Sequence, residues 1–77
     1  MAKPKSQDSV LVKAFAQNLR KRRAKMDLSQ AELAARAGYT VSMISMLERE
    51  ARQPSFMAVE HLSKALSFAH PRDMFRG

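Results

Sequence analysis

Cysteine is missing from this 77-residue chain, and glycine occurs only twice, as Gly38 and Gly77. Without cysteine there is no disulfide and no thiolate metal site to hold a small fold together. Two isolated glycines cannot make a glycine-rich loop that cradles phosphate. Long apolar runs are also lacking. The run VLVKAFA is broken by Lys13, far short of the roughly 18 apolar residues that cross a bilayer. The start, MAKPKSQDS, has lysines but no apolar core behind them, so it is not a secretory signal. His61 and His70 have no carboxylate at metal-ligand spacing beside them, and no nucleophile stands next to a base. We therefore expect no enzyme, no metal, no cofactor and no small-molecule substrate. The lack of cysteine suits a cytoplasmic protein.

What the chain does have is positive charge, a net +7. Through residue 25 there are eight lysines and arginines against Asp8 alone, so the remainder balances to zero. Such a charge favours a polyanionic partner, nucleic acid or an anionic membrane. The membrane is disfavoured, because the apolar side of the first helix has a better use as core. A chain of this length is one domain that buries only about 60% of its unfolded surface. It needs close helix packing and favours a partner subunit.

The most informative stretch is Ser29 to Glu50, SQAELAARAGYTVSMISMLERE. Ser29 with Glu32 three residues on is a capping box. AELAARA is rich in helix formers. Gly38 ends that helix, because glycine takes a left-handed exit at little cost. Thr40 starts the next helix as its N-cap. Leu33, Ala34 and Ala37 on one helix, and Ile44 and Leu47 on the other, fall at spacings that share a face. Two helices joined by a tight turn make a helix-turn-helix, whose second helix usually enters the DNA major groove.

Around this pair, residues 1–7 are expected to be a flexible basic arm and residues 8–77 the domain. Asp8 or Ser9 caps a first helix that runs to about Lys25, with Leu11, Phe15 and Leu19 toward the core and Met26 and Leu28 closing its end. Arg20 lies on its basic side and is assigned to phosphate. ARQP is a loop, since the residue before proline avoids the helical region. Ser55 caps a fourth helix, with Phe56, Val59, Leu62, Ala65 and Leu66 at helical period and an end near Phe68. A last turn spans about Arg72 to Phe75. On the fourth helix and C-terminal turn, Phe56, Phe68, Met74 and Phe75 exceed what a small core needs, which marks them as a dimer surface; the competing expectation is that these four close the core. No strand with period-two alternation is present, so the fold class is all-α.

From about Leu19 to Phe75 the chain resembles the phage-repressor and Cro type of helix-turn-helix, also called the xenobiotic-response-element family. LRKRRAKMDLSQAELAARAG, ISMLER, RQPSF with AVEHLSKAL, and DMF carry the resemblance. It implies a lambda-repressor-like domain of five helices, the second and third forming the helix-turn-helix. It implies that Gln30, opening the second helix, binds a phosphate, which agrees with the anion preference of a helix start. It implies a structural ion pair between Arg23 and Glu48. By position, the base-contacting residues are Val41, Ser42, Ser45 and Met46, with Thr40 at a phosphate. Arg49, at the helix end, joins the base-contacting set. Arg52 and Gln53 in the following loop are placed at the backbone. Glu50 departs from the family, which commonly has glycine there.

The resemblance thus implies a sequence-specific transcription regulator of double-stranded DNA. It would act as a homodimer on a two-fold operator, like stand-alone phage Cro-like repressors or restriction–modification controllers. The competing expectation is a protein-interaction module, such as an antitoxin or coactivator, that uses the same helix face on a protein.

Overall fold

The computed structural model describes residues 9–77. The basic arm at 1–7 and the Asp8 cap lie outside the described residues. Ser9 starts α1, Val10–Lys25, by accepting the N–H groups of Leu11 and Val12 at 3.1 and 3.4 Å. The buried face of α1 is Val12, Phe15, Ala16 and Leu19, whereas Leu11 is 60% exposed. This corrects the four-residue repeat expected from Leu11. At 100° per residue, Leu11 sits about 80° around the helix from Leu19, while Val12 is within about 20° of it. Exact steps of four drift off a face that steps of three and four together maintain.

Helices α2, Gln30–Ala37, and α3, Val41–Glu48, form the expected pair. Ser29 and Glu32 close the capping box, with Glu32 N–H donating to Ser29 Oγ at 3.0 Å and Ser29 N–H to Glu32 Oε1 at 2.8 Å. Gly38 leaves α2 at φ 77°. Thr40 Oγ1 then accepts Met43 N–H at 3.1 Å and starts α3. Leu33, Ala34, Ile44 and Leu47 are all buried between them.

Helix α4, Phe56–Ala65, is capped by Ser55 Oγ, which accepts Ala58 N–H at 3.0 Å. It buries Ala58, Val59, Leu62 and Leu66 against the other helices. It stops before Phe68 because Ser67 turns left-handed at φ 59° and Phe68 N–H reaches back to Ser63 O. The expected fifth helix is a short 3₁₀ turn, Pro71–Phe75, so the described residues hold four α-helices, one 3₁₀ helix and no strand. That turn is tied to α1. The Asn18 side-chain amide nitrogen lies 2.9 Å from Met74 O and 2.7 Å from Arg76 O, and the Phe15 and Phe75 rings meet at 5.7 Å.

The scarcity of glycine shows at the helix ends. α1, α3 and α4 all exit through a left-handed residue that is not glycine: Asp27, Glu50 and Ser67. Each has the same paired closure, in which the left-handed N–H bonds three residues back and the next N–H five residues back. A side chain in that backbone region costs of order 1 kcal/mol that glycine would avoid.

Candidate nucleic-acid interface

Side chains from α1 and α2 converge on Glu48, the last residue of α3, which is almost wholly buried. Arg23 on α1 donates through Nε to Glu48 Oε2 at 2.6 Å and through a terminal nitrogen to Oε1 at 3.0 Å. Gln30, opening α2, gives Oε1 a further N–H at 3.0 Å. Arg23 also donates to Leu28 O, in the link between α1 and α2, at 2.9 Å. Arg20 donates to the Glu48 carbonyl, where a cation also complements the negative end of the helix. A buried carboxylate holding three charge-assisted or amide donors is a rigid joint. The carboxylate in turn raises the Arg23 pKa above its ordinary value through hydrogen bonding and charge attraction. This joint fixes the end of α3 against α1 and the start of α2.

With its inner face clamped, α3 turns the opposite face outward. Val41 is 46% exposed, Ser42 and Arg49 are exposed, and Ser45 and Met46 are half-buried. Ser42, Ser45 and Arg49 follow one another along a single stripe, and Arg49 Nε donates to Ser45 Oγ at 3.2 Å. The Thr40 oxygen is occupied by its cap, which leaves its hydroxyl proton available as a donor. Arg52 and Gln53 lie exposed in the loop that follows α3, next to left-handed Glu50. Met43 points inward and packs on the core.

Two expected sites are altered. Met74 is fully buried and cannot form part of a dimer surface, because its side chain fills the space between α1, α4 and the 3₁₀ turn. Of its three expected companions, Phe68 is half-buried with Arg22 4.2 Å above its ring, and Phe75 is half-buried against Phe15. Only Phe56 stands free of the core. It belongs to the helical period expected of α4, but at the first position of the helix it lies off the buried Ala58, Val59 and Leu62 face.

Some contacts have no clear mark in the sequence. Tyr39 and His61 share a hydrogen bond of 2.9 Å between the hydroxyl and Nδ1, tying α4 to the turn just before Thr40. Asn18 is another, because its partners at Met74 and Arg76 are 56 and 58 positions away. No helix among the described residues is long and apolar enough to cross a membrane.

A helix-turn-helix family profile matches residues 19–69. Among solved structures, the chain is similar to the restriction-modification controller protein C.AhdI from Aeromonas hydrophila. The two are 34% identical, with a TM-score of 0.78, over 83% of this chain and 96% of that one. It also shares its fold with the hypothetical transcription factor NHTF from Neisseria, at a TM-score of 0.81 and 24% identity, over 99% of this chain and 85% of that one. No curated protein sequence matches.

Proposed function

Because the chain belongs to the helix-turn-helix family of the Cro/C1 type, we propose that it is a DNA-binding transcription regulator that reads a two-fold operator as a homodimer, with α3 in the major groove. The observation that carries this reading is the clamped inner end of α3 at Glu48 combined with an outer face left open to solvent. The likeness to a restriction-modification controller supports a regulator of that kind.

In this reading the bases are touched by Val41, Ser42, Ser45, Met46 and Arg49. A valine side chain suits a thymine methyl, serine suits either kind of base edge, and an arginine suits guanine O6 and N7. Gln30, Thr40, Arg52, Gln53 and Arg20 face the backbone. Gln30 gives one amide proton to Glu48, and the second reaches a phosphate at the positive end of α2. Arg20 has five N–H donors, so its bond to the Glu48 carbonyl leaves others for phosphate. The +7 charge supplies much of the affinity through counterion release. With one arginine among four apolar or hydroxyl side chains, discrimination leans partly on DNA shape.

Selection of bound duplexes from a random pool, followed by anisotropy titrations at increasing KCl, tests this. The expected result is a selected two-fold site, bound more tightly than random duplex, with affinity falling steeply with salt. Arg52→Ala should lower the salt slope by about one unit. Equal binding of selected and random duplexes, or binding only to a protein with little salt dependence, would transfer the α3 face to the protein-interaction reading.

A further inference from the structure

The two ends of α3 are held in different ways. Its last residue, Glu48, is buried and clamped by Arg23 and Gln30. Its first turn has no such anchor of its own. Val41 and Ser42 are exposed, Met43 is half-buried, and the first wholly buried side chain is Ile44. What secures the start lies just before it. Tyr39, between Gly38 and the Thr40 cap, is half-buried against the core, and its backbone N–H donates to Ala34 O of α2 at 2.9 Å. Its side chain reaches α4, where the hydroxyl and His61 Nδ1 stand 2.9 Å apart and the ring centres 5.9 Å apart. Helix α4 is a firm support, because Ala58, Val59 and Leu62 are buried and the helix packs against α2. A tyrosine hydroxyl both donates and accepts, so the link holds with His61 Nδ1 in either role.

We propose that Tyr39 and His61 are positioning residues for base reading. Their bond is a strut that fixes the start of α3, and it thereby sets discrimination at the bases facing Val41 and Ser42. The proposal rests on the DNA-reading role of α3 given above. Neither residue is in the contact set; both act through the Thr40 cap that Tyr39 precedes. The lever is short but sufficient. Eight helical residues span about 12 Å. A tilt of about 5° about the clamped end then moves the first residue by about 1 Å. Recognition groups need placing to within about 0.5 Å. Because the pivot is Glu48, the same tilt hardly moves Arg49. Loss of the strut therefore blurs one end of each half-site and leaves the other sharp. Simple loss of stability cannot give that pattern, since unfolding lowers affinity for every sequence alike.

The test is Tyr39→Phe, which keeps the ring and deletes only the hydroxyl, beside His61→Gln and His61→Asn. Asparagine carries its amide at the place of Nδ1 and keeps the link, whereas glutamine carries it farther out, near Nε2, and breaks it. On arrays of single-base operator variants, Tyr39→Phe and His61→Gln should each lose about two- to fivefold in preference at the base pairs facing the start of α3. The salt slope and the preference read by Arg49 should not change. The double variant should be no worse than either single one, and His61→Asn should stay near the parent. In the free protein, amide exchange of Met43 and Ile44, whose N–H groups bond to Thr40, should quicken by a similar factor. Exchange at Arg49 and Ala51, at the clamped end, should hold steady. Equal losses across the whole operator, additive single variants, or unchanged preference in all three would overturn the proposal. A parent chain that selects no operator would overturn the DNA reading and this role together. Exchange rates unmoved by Tyr39→Phe, in a chain that does select an operator, would overturn the strut alone.

Discussion

Arg23 and Glu48, 25 positions apart, meet at 2.6 Å with the carboxylate almost wholly out of water. The pair joins the end of the first helix to the end of the helix proposed to read DNA. Removing Arg23 would leave a buried carboxylate with only the Gln30 amide. Arg23→Ala is expected to cost near the lower end of about 3–5 kcal/mol, because the arginine itself remains partly solvated. Urea unfolding measures it. Replacing both partners by methionine and leucine should cost much less than the single change, and a single-variant loss under about 1 kcal/mol would remove the pair from the structural argument.

Glu50 holds a left-handed backbone at φ 61°, just beyond the end of α3. Glu50→Gly relieves that strain and deletes a carboxylate that opposes the helix dipole and repels phosphate. The glycine's larger unfolded-state entropy offsets part of the gain. We expect a stability increase of up to about 1 kcal/mol, or roughly 4–8 °C in the thermal midpoint for each kcal/mol gained. Duplex affinity at low salt should rise as well. An unchanged or lower midpoint would show that the turn costs the parent protein nothing.

Arg49 Nε rests on Ser45 Oγ, so the serine helps to aim the arginine. Arg49→Ala is expected to abolish a guanine preference at one operator position, worth about 1–3 kcal/mol of discrimination. Ser45→Ala should weaken the same preference by a smaller factor, with the salt slope unchanged. Binding arrays of single-base operator variants read this directly. Uniform losses on every sequence would make both residues backbone contacts.

The Glu32 carboxyl is held below its ordinary value of 4.5, first by the Ser29 backbone N–H and then by its hydroxyl. A depressed carboxylate adds stability that is complete above the unfolded value and lost as pH falls through the folded one. Glu32→Gln keeps an acceptor at the cap but has no charge to lose. Between about pH 6 and about pH 3 its thermal midpoint should fall less than that of the parent chain. Parallel acid limbs would place the proton uptake elsewhere.

Local chemistry alone determined much of this protein. Ser29, Thr40 and Ser55 cap the helices they were expected to cap, and Gly38 makes the turn, because a cap is decided by residues three or four apart. The buried pairing of Leu33 and Ala34 with Ile44 and Leu47 follows from helical period and a short connection. The concentration of charge before residue 25, and with it the preference for a polyanion, is likewise a property of the chain in one dimension.

Only the tertiary structure decided which side of each surplus apolar residue faces water. Leu11 and Val12 differ by one position and 100° of rotation, and the fold buries Val12 while leaving Leu11 exposed. Met74 and Phe56 are equally apolar, yet one fills the core and the other projects from it, because core space is set jointly by α1, α4 and the turn. The Asn18, Tyr39 and Arg20 bonds belong here too, since their partners lie 22 to 58 residues away and no local pattern announces them. Interactions within one helical turn are encoded by neighbours, while those across the fold exist only once every helix has found its place.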